Sequence, residues 1–262
     1  MKCDAFVGTM SNVSLGLTLM EPDQIDIQFC HQFNNKDGQF YYSAAWLGGD
    51  VIVGANKGVF VYNLSSNKSK EISVPCLNVV SVESFGRFAV AALCKTDGNM
   101  EVRLSCLDSL HLKDAIICEY DQDNKSLAHM AVSETHVAYA DKQGKQVRVY
   151  NWDGFQLLTL GSGKLKHPWG VLLQKNSVLV SDSDVGCLYK YRLEADSEPE
   201  WVCDGLENPS GICDDKDGYI YVASNSKGAI YLISPQGDIL MLTIGMWSDL
   251  SLIFCICYNG TG

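Results

Sequence analysis

The chain has 262 residues, 47 % apolar and 19 % charged, which is the composition of a folded globular protein and not of a disordered segment. Its net charge is −11, from 20 basic and 31 acidic residues, and its only arginines are Arg87, Arg103, Arg148 and Arg192. Such a surface repels phosphate backbones and argues against nucleic-acid or anionic-membrane partners, and no apolar run approaches the roughly 18 residues of a membrane-spanning helix.

In chain order, Ala5–Met10, Val13–Met20 and Ile25–Phe33 predict three strands. Val51–Asn56 and Gly58–Tyr62 predict two more, as do Phe88–Leu93 and Glu101–Leu104. From there the chain repeats itself. Val137–Asp141 and Val147–Tyr150 recur as Val178–Asp182 and Leu188–Tyr191, each 41 residues later. Leu165–Val171 matches Leu206–Ile212, with Pro-x-Gly in both, and Gly186–Tyr191 matches Gly228–Ile233. Turns at Asp97-Gly98, Asp153-Gly154, Asp217-Gly218 and Gln236-Gly237 separate the short β-branched and aromatic runs.

Four short strands in about 40 residues is the period of a propeller blade. One blade cannot cover both its faces, so blades must stack around an axis. The expected architecture is therefore all-β: a single β-propeller domain over residues 1–262. Five blades fall at about 40–76, 77–122, 127–163, 165–205 and 206–245. The remainder is split between the termini, so a sixth blade is expected from 246–262, with Leu252–Tyr258 as its strand, together with 1–33. Joining the termini avoids an open, unpaired sheet edge.

The unit Pro-x-Gly-(apolar), Asp-Gly, a strand closing on Val-Ser-Asp or Val-Ala-Ser, then Gly-x-Leu/Ile-Tyr, resembles the NHL repeat. Pro168–Tyr191 and Pro209–Ile233 carry the likeness best, 127–163 fairly, and the first two blades loosely. The resemblance implies a six-bladed NHL-type propeller, as in the C-terminal substrate-recognition part of tripartite-motif ubiquitin ligases. No RING, B-box or coiled coil is visible in this chain, since Cys and His lack zinc-ligand spacing and heptads are absent. The resemblance also implies two alternatives. Some NHL propellers bind RNA on a basic rim. Related lactonase-like propellers hold a divalent metal with acidic and Asn ligands, for which Asp141, Asp182, Asp184 and Asn225 are the candidates here, although no Glu opens the first full blade as that family requires.

Several constellations have plainer readings. Asp214–Gly218 looks like a calcium loop but has Asn225 at the twelfth position, and Asp-Gly suits a hairpin turn. Cys187, Cys213, Cys255 and Cys257 fit a core, where free thiols pack as small hydrophobes. The histidines at 31, 111, 129, 136 and 167 show no metal-ligand pairing, and Gly161-Ser162-Gly163 is a loop and not a nucleophile elbow. No catalytic residues, metal or cofactor are expected. The eleven cysteines, an odd and scattered set, and an N-terminus without a signal-peptide pattern point to the cytoplasm, although sequons at Asn12, Asn63, Asn67, Asn124 and Asn259 would matter on a secretory route.

In a propeller, the turns after the second strand and the links between blades share one rim. That rim gathers Lys142, Lys145, Lys164, Lys166 and Lys227 with His167, Trp169 and Trp247, among acidic Asp184, Glu207 and Asp249. Trp and Lys together stack on and steer a partner. The expected function is non-enzymatic binding of a protein or peptide by a monomeric ring, through Trp169, His167, Lys166, Lys142, Lys227 and Trp247. The competing view is that the tryptophans wedge between blades and the lysines merely solvate a rim.

Overall fold

The structure, a computed structural model, describes residues 3–8, 12–19, 25–26, 31–34, 41–47, 50–55, 58–63, 66, 68–72, 78–85, 89–95, 100–106, 115–120, 129–215, 217–226, 229–244 and 255–258. The described chain is an all-β β-propeller. One sheet holds β1 (Cys3–Gly8), β2 (Asn12–Leu19), β3 (Ile25–Asp26) and β4 (His31–Asn34). The next is β5 (Tyr41–Leu47), β6 (Asp50–Ala55), β7 (Gly58–Asn63) and β8 (Lys68–Ile72). Then come β9 (Asn78–Phe85), β10 (Ala89–Lys95), β11 (Met100–Cys106) and β12 (Ala115–Tyr120). The fourth contains β13 (Met130–Val132), β14 (Val137–Asp141), β15 (Gln146–Tyr150) and β16 (Gln156–Leu160). Next are β17 (Pro168–Gln174), β18 (Ser177–Asp182), β19 (Cys187–Arg192) and β20 (Pro199–Cys203). Last are β21 (Pro209–Asp214), β22 (Ile220–Ser224), β23 (Ala229–Ile233) and β24 (Ile239–Ile244).

Within each four-stranded sheet the strands follow chain order as an antiparallel meander. The final strand, β25 (Cys255–Tyr258), pairs antiparallel with β1, Ala5 opposite Tyr258 and Gly8 opposite Cys255. It packs against β21 on one side and β5 on the other. The stretch 25–33, read from sequence as one strand, is two. Ile25 and Asp26 face Leu19 and Thr18, whereas His31–Asn34 face Leu15–Asn12. The two pairings with β2 are out of register with each other by two residues.

The second strands are deeply buried. Every residue of β14, β18 and β22 is buried, as expected of a strand covered on both faces by neighbouring blades. Ala138, Ala140, Val147, Val149, Val171, Val178 and Val180 form one core across the seam between the β13–β16 and β17–β20 blades. Leu179, Leu188, Ile212, Ile220, Val222 and Tyr231 form the next.

Polar bonds also cross seams between neighbouring sheets. The buried Ser43 hydroxyl accepts from the Val82 N–H at 3.2 Å and donates to its carbonyl at 3.4 Å. Ser81 Oγ accepts from the Met130 N–H at 3.1 Å. Ser181 Oγ accepts from Gly170 N–H at 2.8 Å and donates to the Ser210 carbonyl of the next blade at 2.6 Å. The Pro-x-Gly pattern has its physical reason here. A Cβ at Gly170 would collide with that Ser210 carbonyl, so glycine lets successive innermost strands approach.

Ser181→Ala leaves the Gly170 N–H and Ser210 C=O without their buried partner, a loss of about 1–3 kcal/mol. In a domain this large, about 1 kcal/mol moves the melting temperature by about 2–4 °C. Calorimetry should show Ser181→Ala melting several degrees lower, and exposed Ser162→Ala within about 0.5 kcal/mol of the parent.

Candidate functional site

The blade links and the loops after the second strands lie on one face, here called the upper face. Two backbone bonds recur there: the Ser183 N–H donates to the His167 carbonyl and the Asn225 N–H to the Asn208 carbonyl, at 3.1 and 3.0 Å. The Leu206 N–H also donates to the Gly186 carbonyl at 3.0 Å, joining a loop to the next blade's link. Gly186 has φ of 73°, and a Cβ there would strike the Leu206 carbonyl.

Two buried aspartates tie this face down. The Asp182 carboxylate accepts backbone N–H bonds from Lys166 at 2.5 Å, His167 at 3.0 Å, Asp184 at 3.2 Å and Val185 at 3.3 Å. It therefore fixes both a blade link and a loop. Asp141, at the equivalent end of β14, accepts from the Gly144 N–H at 2.7 Å, Gln146 Nε2 at 3.0 Å and Arg148 Nε at 2.7 Å. Bonds to a charged acceptor contribute about 1.5–3 kcal/mol each. These oxygens are occupied by the fold, which weighs against Asp141 and Asp182 as metal ligands. Among the described residues no cluster of three or more His, Cys, Asp or Glu is arranged to hold a metal. After β21, Asp215 has the bonds of a turn residue: its Oδ1 accepts from the Asp217 and Tyr219 N–H groups, and Gly218 has φ of 83°.

The rim residues named from sequence separate into three groups. Lys166 is exposed, and His167 and Trp169 are half-buried beside it. The His167 and Trp169 rings meet edge-on with centroids 5.7 Å apart. His167 Nδ1 lies 2.6 Å from Ser183 Oγ and 3.9 Å from Asp184 Oδ1. Lys142 is set apart by burial: it is 5 % exposed, with Nζ 3.2 Å from the centre of the Trp169 ring. Lys227 and Trp247 lie outside the described residues.

One member of this group was not legible in the sequence. His129 is buried, its ring 6.3 Å from that of Trp169. Strand pairing makes His129 the counterpart of Gly170 in the next blade, so an imidazole stands where the repeat has glycine. That departure from the repeat is the one available signal. Burial, and then the Lys142 charge, pushes His129 down to about 3. Burial pushes Lys142 down to about 7 and also lowers His167. Lys142, Ser183 and Asn225 occupy equivalent positions, each directly after its second strand. Lys142 Nζ and Asn225 Oδ1 are buried without a hydrogen-bond partner among the described residues.

No family model matches the chain, and no curated protein does. Among solved structures it is similar to a protein of unknown function from Bacteroides caccae, with TM-score 0.69, 12 % identity and coverage of 98 % of this chain and 99 % of that one. It is also similar to a chain in the Nidogen/Laminin complex, with TM-score 0.77, 8 % identity and coverage of 98 % of both chains. At these identities the likeness establishes the fold, a β-propeller, and nothing finer.

The His129 shift contributes to the acid limb of stability. Between pH 6.5 and about 3 the unfolded chain takes up a proton that the folded one resists, so stability falls as pH falls through that window. Melting temperatures measured from pH 7 to pH 4 should fall less steeply for His129→Gln than for the parent.

Proposed function

We propose that the chain is a non-enzymatic protein- or peptide-binding module, a six-bladed NHL-type propeller closed by strands from both termini, which recognises its partner on the upper face. The observation that carries this reading is the anchoring of that face by Asp182, whose carboxylate holds the link 166–167 and the loop 184–185 together. Recognition loops fixed before contact lose little entropy on binding. They present exposed Lys166 and Asp184, half-buried His167 and Trp169, and Val185, 44 % exposed. A half-buried aromatic ringed by charged groups is the anchor that interfaces favour. One similar structure comes from a complex of two proteins, which fits a protein partner. The NHL assignment rests on the Pro-x-Gly units at Pro168 and Pro209. The cytoplasmic placement draws support from Cys187 and Cys203, buried free thiols that burial makes harder to ionise.

A photo-crosslinking residue placed at Val185 or Lys166 in cells should give the same discrete protein adduct, and one at Lys175, in the turn on the opposite face, should give none. Lys166→Glu should weaken the captured partner's binding at least tenfold, about 1.4 kcal/mol, at an unchanged melting temperature. Adducts from Lys175 alone would overturn the reading, and RNA adducts from the upper face would replace the protein partner with a nucleic acid.

A further inference from the structure

Lys142 is poorly explained by packing. Its residue is 5 % exposed and its Nζ has no hydrogen-bond partner among the described residues. A buried amine without an acceptor opposes folding, and the contact with the Trp169 ring offsets only part of that cost. A methionine would fill the same space without the penalty. The counterpart position in the β21–β24 blade leaves Asn225 Oδ1 buried and unmatched as well. A buried donor without a protein acceptor, as Lys142 Nζ is among the described residues, suits an acceptor group on a ligand better than a dry seam.

We propose that Lys142 Nζ, covered by the Trp169 indole at the upper end of the seam between the β13–β16 and β17–β20 blades, is the receptor for a single carboxylate group. The proposal rests on the upper face being the binding face. One lysine supplies one charge and up to three donors, which a carboxylate can accept in part. A phosphate dianion fits less well, because the neighbouring β17–β20 blade contributes Asp182 and Asp184 to this face and the histidines beside Lys142, His129 and His167, are both held toward the neutral form. Burial also lowers the unliganded amine to about 7, and an arriving anion would favour its charged form. The carboxylate has two sources: a free small acid, or an acidic side chain of the docked partner.

The test is titration of the intact protein with two probes through the millimolar range: propionate, and the blocked peptide acetyl-Gly-Glu-Gly-amide. The readout is the Trp169 indole N–H resonance, assigned by its loss in Trp169→Phe. Saturable shifts with both probes would identify the free acid as sufficient, and with the peptide alone would identify a side chain carried by the partner. Either response should weaken at least tenfold in Lys142→Met, a variant that removes a buried amine and is expected to fold, as its melting temperature will show. No response to either probe, or an equal response in Lys142→Met, would overturn the proposal. If the Val185 and Lys166 adducts form while the parent protein responds to neither probe, the binding-face reading stands and this one fails. Loss of the adducts in the parent protein would sink the binding-face reading first.

Discussion

A four-stranded blade has two apolar faces and can bury neither alone, so the molecule depends on how neighbouring innermost strands meet. Between the β13–β16 and β17–β20 blades the meeting is lined by valines and alanines of β14, β15, β17 and β18. Apolar contact alone, however, does not fix the height of one blade against the next. The directional bonds do. Ser43 reaches Val82, Ser81 reaches Met130 and Ser181 reaches Ser210, so buried hydroxyls span three of the seams. Their geometry is possible only where the strands are close, and Gly170 gives one of those approaches its room.

The upper face inherits its shape from that stacking. A buried carboxylate at the end of a second strand is costly unless fully bonded. Asp182 meets this condition by gathering four backbone N–H groups from a link and a loop that no strand pairing would otherwise order. Asp141 does so with a different set, Gly144, Gln146 and Arg148. The same acidic residue at the same blade position therefore ties down different neighbours, which is how a repeat produces unlike loops on one rim. Lys142, beneath Trp169 of the next blade, belongs to this face and to the seam at once.

The repeat was legible because strand chemistry and turn chemistry recur together. Val178–Asp182 was expected as a strand and is Ser177–Asp182 in the structure; Val137–Asp141 was expected and found with the same ends. The Pro-x-Gly units were recognised as a pattern, but the steric reason for the glycine appears only when Ser210 of the following blade is in place. Burial of Lys142 was not legible. A lysine in a loop after a strand ordinarily projects into water, and what covers this one is a tryptophan of the next blade. His129 was passed over for a similar reason: it carries no motif, and its meaning comes from standing where the neighbouring blade has Gly170. The two strands between residues 25 and 34 were read as one because both halves face the same partner, β2, and only their registers differ.

The central claim is that the upper face is held rigid before any partner arrives, by carboxylates buried beneath it. Amide hydrogen exchange tests it most directly. The Lys166, His167, Asp184 and Val185 N–H groups lie outside strand pairing or at its very edge, and would exchange rapidly as ordinary surface loops. If Asp182 holds them, they will exchange as slowly as the amides of β18, and Asp182→Ala will release all four together while β18 stays protected. Fast exchange of these four amides in the parent protein would contradict the account.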